Sequence, residues 1–388
     1  MRFLKSKNKK ALVYDWYTVY GGAERCNESF NNIWPDLEQF ALIDFLDSTQ
    51  RESILKGKAV NTSFIQKLPF AKKHYRKYLP FFPYAIEQFD LNDYELVLSC
   101  SSCVSKGVLT NHNQLHISYV LSPVRYAWDL YAQYLTESNL NKGIKGFFAK
   151  LILHYIRIWD LATSNRPDYY ITLSNYVAKR IKKLYGKDSI VIYPPVDVTA
   201  FTISDTTSDY FITSSRMVPY KKMDLIVEAF SKTSHKLVVI GDGPGMKKVK
   251  SKASSNIAIV GFLERDEMIA WTQKAKAFVF AADEDFGIAP VEAQACGVPV
   301  IAFGKGGALE TINGKFPEQV ISKTDTGVFF HQQSVPSLLE ALNFFMQNEY
   351  KFDKHTIREN AKRFSTERFE KEIKGTVEKL YLKWKERK

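Results

Sequence analysis

The chain has 388 residues, of which 45% are hydrophobic, and carries a formal net charge of +12. This length suggests two domains, and the charge predicts anionic partners such as phosphates, nucleotides or acidic lipids. No apolar run is long enough to span a bilayer, and the basic segment 1–10 lacks the apolar core of a signal peptide. We therefore expect a cytoplasmic protein whose contact with a membrane is peripheral.

Strands and helices alternate along the first half of the chain. Strands are predicted at 10–15, 41–45, 95–99, 115–120 and 169–173, and helices at 23–33, 147–163 and 175–184. Gly21 and Gly22 lie between the first strand and the first helix. A strand, a glycine turn and a helix form the repeating unit of an open parallel sheet.

A second series of the same kind follows a break in the chain. Pro194–Pro195 and the polar stretch 199–208 indicate a boundary. The predicted domains are 1–197 and 198–365, with a helix at 366–388 that crosses back to the first domain. In the second domain, strands are predicted at 209–214, 236–240, 257–260, 277–281 and 298–303, and helices at 223–232, 264–274 and after Gly287. The alternation predicts an α/β protein of two doubly wound, Rossmann-like domains facing across a cleft.

The stretch from Asp283 to Val300 is the strongest candidate for a binding site. Gly287 permits a tight turn, Pro290 suits the first turn of a helix, and Gly297 ends that helix. A helix N-terminus offers free N–H groups and a partial positive charge, which favours an anion. Glu284 and Glu292 have the spacing to bind hydroxyls on either side of a phosphate.

Two cations follow the first strand of the second domain. Arg216 and Lys221 are expected at the carboxyl end of that strand, where a diphosphate could use both, although two solvated surface cations are an equal alternative. The Gly21–Gly22 backbone could also approach a phosphate, but a plain tight turn is the simpler interpretation. The loop Gly241–Gly245 does not match the dinucleotide fingerprint.

Three further features bear on function. Residues 64–89 interleave basic and aromatic side chains, which suits an anionic membrane surface or a helical insertion with a core of aromatics. His116 lies on a predicted strand, where a histidine is more often structural than catalytic. Cys100 and Cys103 form a CxxC without the partners of a zinc site, so the cysteines are interpreted as reduced thiols.

Together these residues resemble the retaining GT-B glycosyltransferases of family 4, specifically the mannosyltransferase branch that builds bacterial O-antigen and other surface polysaccharides. The resemblance covers nearly the whole chain and rests on Asp15–Trp16 with Gly21–Arg25, Ser122–Asp129, Tyr193–Asp197, Arg216 with Lys221, and Glu284–Glu292. Of these, the two glutamates separated by seven residues, with Phe-Gly-Ile between them, are the most specific.

The resemblance implies a role for each of these site residues. Glu284, Arg216 and Lys221 are the catalytic group: Glu284 would bind hydroxyls of the donor sugar, and the two cations would neutralise the leaving diphosphate. The remaining donor-binding residues would be the backbone of Phe286, Gly287 and Ile288 for the sugar and distal phosphate, Glu292 for the ribose, and Gly21 and Gly22 for the diphosphate.

The implied enzyme is a retaining hexosyltransferase that moves mannose from GDP-mannose to a lipid-linked glycan. It would work without a metal ion or cofactor, at the inner face of an anionic membrane. Many relatives carry a histidine where this chain has Leu121, so His116 or a backbone carbonyl would replace that contact, or it is absent.

Several alternatives remain at this point. One is a UDP-hexose donor, and another is a sugar epimerase or phosphorylase of the same fold. A third is a non-enzymatic basic protein that binds membrane or nucleic acid, although no nucleic-acid-binding motif is present.

Overall fold

A computed structural model describes residues 9–387. The chain divides into two compact units, Met1–Pro195 with Phe369–Lys388, and Val196–Arg368. The predicted boundaries, 197/198 and 365/366, differ from these by two or three residues. Of the basic N-terminal segment 1–10, all but Lys9 and Lys10 lies outside the described residues.

The first unit contains a parallel sheet with helices along its connections. Its strands are β1 (Lys9–Tyr14), β2 (Leu37–Ala41), β3 (Val60–Thr62), β4 (Tyr94–Ser101), β5 (Leu115–Val120), β6 (Tyr169–Thr172) and β7 (Ile190–Val191), and its helices are α1 (Gly22–Ile33), α2 (Ser48–Leu55), α3 (Ala71–His74), α4 (Phe82–Ile86), α5 (Tyr131–Glu137), α6 (Gly143–Ala162) and α7 (Asn175–Tyr185). Within the described residues the strand order is β3-β2-β1-β4-β5-β6-β7. The order reverses direction between β1 and β4, as in doubly wound folds.

The second strand of this sheet begins earlier than predicted. The strand expected at 41–45 is β2, Leu37–Ala41. Its start was missed because Glu38 and Gln39 are polar and interrupt the apolar pattern. Gln39 is nevertheless buried, with hydrogen bonds to Tyr17 and Asn31. A buried polar residue with satisfied hydrogen bonds is compatible with a strand, but it breaks the apolar pattern from which a strand is recognised.

The second unit repeats the architecture. Its strands are β8 (Phe211–Ser214), β9 (Leu237–Ile240), β10 (Ile257–Gly261), β11 (Phe278–Phe280), β12 (Val300–Phe303), β13 (Gly314–Lys315) and β14 (Gly327–Phe330), and its helices are α8 (Met223–Phe230), α9 (Met246–Lys250), α10 (Arg265–Thr272), α11 (Ile288–Ala295), α12 (Ala308–Thr311), α13 (Val335–Asn348) and α14 (Lys354–Lys362). The strand order is β10-β9-β8-β11-β12-β14-β13, again parallel. In its core, the ring of Phe211 packs at steep angles against those of Phe230 and Phe345.

The last helix, α15 (Thr366–Lys385), contributes to the first unit from Phe369 onward. Phe369 packs against Phe30 and Tyr119, with ring centroids 5.9 and 5.7 Å away. Tyr381 donates a hydrogen bond to Glu95 at 2.9 Å. The predicted C-terminal helix is therefore part of the core that surrounds the first sheet.

All four cysteines are buried and none forms a disulfide. Within residues 9–387, no helix combines the length and apolarity needed to cross a bilayer.

Candidate functional site

Two loops of the second unit meet where the strand order reverses. The connections that follow the adjacent strands β8 and β11 run to opposite sides of this point. The chain passes from β8 to β9 on one side and from β11 to β12 on the other. Ligands of open α/β sheets bind outside the carboxyl ends of strands at such a point. The loop after β8 carries Arg216 and Lys221, and the loop after β11 carries Glu284.

The structure brings two predicted catalytic residues into contact. The Nζ of Lys221 forms an ion pair with Oε1 of Glu284. Their side chains are only 19% and 16% exposed, so the pair lies in a recess of this unit that solvent still reaches. A carboxylate and an ammonium group held together there can each bind a polar ligand group.

The acidic turn leads directly into α11. Gly287 precedes the helix with φ +90°, a conformation that side chains disfavour, so glycine is required by the backbone. The N–H groups of Ile288 and Ala289 open the helix, whereas Pro290 has none to offer. The N-terminus predicted from the sequence therefore forms beside Glu284.

Helix α14 holds α11 in place from its other end. Arg358 donates to the carbonyl of Ala295 at the C-terminus of α11, where a cation complements the helix dipole. Asn360 donates to Gln294 at 2.7 Å, and Gln294 donates to the carbonyls of Pro290 and Thr311. These contacts fix the direction in which the N-terminus of α11 points.

Phe286 and Glu292 complete this part of the site. Phe286 is buried and packs against Phe364, with ring centroids 5.4 Å apart. Its side chain is therefore structural, which leaves its backbone as the group able to contact a ligand. Glu292 lies just beyond the first turn of α11 and is 9% exposed.

A second glycine pair, which was not among the predicted site residues, supports the acidic turn. Gly306 and Gly307 follow β12, the neighbour of β11, and the N–H of Gly307 donates to the carbonyl of Glu284 at 2.8 Å. A Cβ on Gly307 would lie 2.3 Å from Cα of Phe286, and one on Gly306 would lie 2.4 Å from O of Glu284. Two adjacent glycines in the loop that follows a strand were the available signal, as at Gly21–Gly22.

The loop that carries Arg216 is fixed by the glycine-rich loop after β9. A Cβ on Gly241 would lie 2.0 Å from the carbonyl oxygen of Ser215, and the N–H of Gly245 donates to Met217 at 2.8 Å. Arg216 itself is exposed, and within residues 9–387 its guanidinium makes no hydrogen bond or ion pair. The loop therefore presents this cation to solvent from a rigid backbone.

In the first unit, a buried carboxylate organises the corresponding point of the sheet. Asp15 follows β1 and accepts hydrogen bonds from the N–H groups of Ser102, Cys103, Val104 and Ser105, at 2.6 to 2.8 Å. Burial raises the pKa of Asp15, while these hydrogen bonds oppose that shift. Asp15 thus ties the loop after β4 to the end of β1.

The glycine pair of the first unit is only partly available to a ligand. Gly21 precedes α1, and its N–H donates to Oε2 of Glu24 at 3.0 Å. Glu24 also accepts a hydrogen bond from the hydroxyl of Tyr14 at 2.7 Å. The N–H of Gly21 is therefore engaged by Glu24 in this structure, and contact of Gly21 with a phosphate stays a prediction. Gly22, the first residue of α1, stays a prediction.

The prediction that His116 contacts the donor is wrong. His116 is the second residue of β5, 0% exposed, and its Nε2 lies 2.9 Å from Oγ of Ser99 on the adjacent strand. Leu121, just past the carboxyl end of this strand, is about 16 Å further along, at roughly 3.3 Å per residue. The imidazole is a core group in the middle of the sheet.

Burial lowers the pKa of His116 to about 3, and this shift predicts acid sensitivity. An unfolded histidine titrates near 6.5, so below that pH the unfolded chain gains a proton that the folded chain does not bind. Between pH 7 and pH 5, the unfolding free energy of the wild type should fall by about 2 kcal/mol more than that of His116→Gln.

Urea unfolding followed by tryptophan fluorescence measures this difference, because Trp16, Trp34, Trp128, Trp159 and Trp384 lie in the first unit. The exposed His355→Gln serves as the control. Equal pH dependence in wild type and His116→Gln would contradict the buried neutral imidazole.

Among residues 9–387, no cluster of three histidine, cysteine or acidic side chains is arranged to hold a metal ion. Independence from metal ions stays a prediction.

Comparison with known proteins gives the second unit a family match. Residues 200–364 match the family described as "Glycosyl transferases group 1". A Corynebacterium glutamicum protein named GDP-mannose-dependent monoacylated alpha-(1-6)-phosphatidylinositol monomannoside mannosyltransferase is 30% identical over 178 residues, which cover 37% of this chain and 46% of that protein. A Mycolicibacterium smegmatis protein named GDP-mannose-dependent alpha-(1-6)-phosphatidylinositol monomannoside mannosyltransferase is 29% identical over 193 residues, which cover 42% of this chain and 50% of that protein. The chain thus spans about half the length of the curated relatives it matches.

Solved structures match almost the whole chain at low identity. Sucrose-phosphate synthase from Thermosynechococcus elongatus superposes with a TM-score of 0.69 and 15% identity, covering 97% of this chain and all of that one. HepE from Anabaena, in complex with UDP and glucose, superposes with a TM-score of 0.66 and 16% identity, covering 96% of this chain and all of that one. The chain therefore has the two-sheet GT-B fold of glycosyltransferases, and its residues 200–364 match glycosyl transferases group 1.

Proposed function

We propose that this chain is a retaining hexosyltransferase that moves mannose from GDP-mannose to a lipid-linked glycan in polysaccharide biosynthesis. The observation that carries the proposal is the contact between Lys221 and Glu284 beside the N-terminus of α11, at the reversal point of the second sheet. A carboxylate, a cation and a helix N-terminus are the groups that a sugar joined to a diphosphate requires.

The reaction breaks the bond between the anomeric carbon and the diphosphate oxygen and forms a bond from that carbon to the acceptor oxygen. Negative charge develops on the leaving diphosphate, which also receives the proton of the acceptor hydroxyl. Arg216 and Lys221 would stabilise this charge, and the N–H groups at the start of α11 would bind the distal phosphate. Glu284 would hold the sugar hydroxyls in the same step.

The pairing of Lys221 with Glu284 gives the unliganded site a neutral resting arrangement. In our proposal the phosphate binds Lys221 and the sugar hydroxyls bind Glu284. Donor binding therefore replaces the ion pair between the two side chains with one ligand contact for each of them. Because the phosphate would replace Glu284 beside Lys221 and the sugar hydroxyls would replace Lys221 beside Glu284, neither charge is left unpaired in the donor complex.

The choice of GDP-mannose is supported by the relatives named as GDP-mannose-dependent mannosyltransferases. A UDP-hexose is the second candidate, supported by the HepE structure that is described with UDP and glucose. The proposed reaction needs no metal ion, because Arg216, Lys221 and the N-terminus of α11 would supply the positive charge that the diphosphate requires. Chelation with EDTA should therefore leave turnover unchanged.

The acceptor and the location are the least constrained parts of the proposal. A lipid-linked glycan would place the enzyme at the inner face of the cytoplasmic membrane as a peripheral protein. The net charge of +12 favours contact with anionic lipid.

A thermal-shift panel of GDP-mannose, UDP-glucose and ADP-glucose tests the donor site. A ligand at about 100 times its dissociation constant stabilises the native state by about 2.7 kcal/mol. For a unit of this size, that corresponds to a rise in melting temperature of roughly 5 °C or more. The response should be largest for GDP-mannose and should be lost in Glu284→Gln. A panel in which no nucleotide sugar raises the melting temperature would refute the proposal.

A further inference from the structure

Helix α6 is apolar on two opposite faces. One face is buried and includes Leu153 and Ile156, which pack with Val124, Ala127 and Leu135 in a core of the first unit. The other face is exposed although it consists of large apolar side chains. These are Ile144, Phe147, Phe148, Leu151, Tyr155, Ile158 and Leu161, with exposed fractions between 44% and 79%.

The exposed apolar residues form one continuous stripe. Their spacing of three or four residues places them on a single side of the helix, over its length of about 30 Å. Contiguous apolar surface of this kind marks an interaction site, because single exposed apolar residues are normal but a patch is not. We call this stripe the α6 face.

The charge around the α6 face is positive. Lys142, Lys145 and Lys150 are exposed on or next to the helix. The acidic residue of α6, Asp160, is buried and paired with Lys106. No exposed carboxylate of the helix therefore opposes an anionic partner.

A second group of cations lies on the segment that packs beside α6. Residues 64–86 contain no acidic residue, and Lys72, Lys73, Arg76 and Lys77 are all exposed. We call these four residues the basic cluster. Leu79, two residues after Lys77, packs in the same core as α6, and Glu87 accepts a hydrogen bond from Trp159 of α6 at 2.9 Å.

We propose that the α6 face and the basic cluster dock the protein on an anionic lipid bilayer, with α6 lying in the plane of the membrane surface. Apolar side chains would enter the acyl boundary while lysines and arginine bind the headgroups, as in interfacial amphipathic helices. The inference deepens the proposed function, because a lipid-linked acceptor would reach the enzyme from that surface. It adds α6 to the membrane contact predicted for segment 64–89, in which Phe70, Phe81 and Tyr84 are also exposed.

The charge distribution favours a bilayer over a second copy of the chain. A symmetric dimer buries the same surface on both subunits. A dimer through the α6 face would bring two basic rims together, which is unfavourable without an anionic partner. An anionic bilayer accommodates both, because its acyl boundary accepts the apolar stripe and its headgroups bind the cations.

Flotation of the full-length protein with vesicles tests the inference. Wild type should bind vesicles of phosphatidylcholine with 30 mol% phosphatidylglycerol, and binding should weaken with salt. Phe148→Ser/Leu151→Ser/Ile158→Ser should lower partitioning at least about tenfold. Lys72→Gln/Lys73→Gln/Arg76→Gln/Lys77→Gln should do the same on anionic vesicles only.

Two matched controls separate local effects from general ones. Val320→Ser/Tyr350→Ser removes exposed apolar residues from the second unit, and Lys371→Gln/Lys374→Gln/Lys379→Gln/Lys383→Gln removes the same net charge from α15. Both should partition like the wild type. Circular dichroism and the donor thermal shift should be unchanged in every variant, so a folding defect is recognised directly.

Wild type that does not bind anionic vesicles, or α6 variants that partition like the wild type, would overturn the inference. A wild-type dimer that dissociates in the α6 variants without loss of vesicle binding would also overturn it, and would assign the face to self-association. Failure of the proposed function appears separately, as vesicle binding without any donor thermal shift.

Discussion

Arg216→Ala and Glu284→Gln are each expected to lower the turnover of the nucleotide sugar by about 10²–10³-fold. Arg216 is the exposed cation at the reversal point, and its removal leaves the leaving diphosphate with less compensating charge. Glu284→Gln keeps the shape of the side chain but loses the negative charge that pairs with Lys221 and that, in the proposed donor complex, would bind sugar hydroxyls. Initial rates of sugar-nucleotide hydrolysis and transfer measure both effects.

The matched controls are Lys274→Ala and Glu340→Gln, which remove exposed charges elsewhere in the second unit. They should retain wild-type rates. The effect of Arg216→Ala should fall on kcat more than on KM, because the leaving-group charge develops in the transition state. Unimpaired turnover in both site variants would mean that the acidic turn and its cations do not form the catalytic centre.

Lys106→Met is expected to be strongly destabilising. Lys106 is 1% exposed, and its Nζ contacts Oδ1 of Asp160 at 3.0 Å, the carbonyl of Asp160 at 2.8 Å and Oγ1 of Thr163 at 2.9 Å. Removing it leaves the carboxylate of Asp160 buried without a counter-charge, which costs about 3–5 kcal/mol. Urea unfolding followed by tryptophan fluorescence measures the loss.

The double variant Lys106→Met/Asp160→Asn should recover most of that loss. Its amide oxygen can still accept from Nε1 of Trp128 and the hydroxyl of Tyr185, which both lie 2.8 Å from Oδ2 of Asp160. Replacing both charges removes the uncompensated one. The control Lys182→Met breaks an exposed pair with Asp188 and should change stability little. If Lys106→Met were no worse than this control, the buried pair would not be important for folding.

The buried pair also connects the fold to the α6 face. Asp160 lies near the C-terminus of α6 and joins that helix to Lys106 after β4, to Trp128 and to Tyr185 of α7. A helix that exposes an apolar face needs specific contacts on its other side to keep its orientation, since burial by itself would favour either face. The charged network provides those contacts.

The fold was predictable because its signals are local. Alternating apolar strands and amphipathic helices recur through both halves, and most predicted strands lie within a few residues of the observed ones. The exceptions are β2, which is hidden by the buried Gln39, β14 (Gly327–Phe330), which lies inside the second sheet and was not predicted, and β3, β7 and β13, which have only two or three residues each. Such short edge strands are set by pairing with a neighbour, and sequence pattern does not reveal them.

The sequence by itself determined the turn and helix from Glu284 to Glu292, because Gly287 and the helix that follows it depend on local backbone preferences. It also selected Arg216 and Lys221, because both follow a strand. Only the tertiary structure decided that Lys221 meets Glu284, that Gly306–Gly307 supports the acidic turn, and that His116 belongs to the core. These outcomes depend on residues that are distant in the chain and become neighbours through strand order. The same holds for the exposed side of α6, since an apolar helix with two similar faces does not specify which one the core will cover.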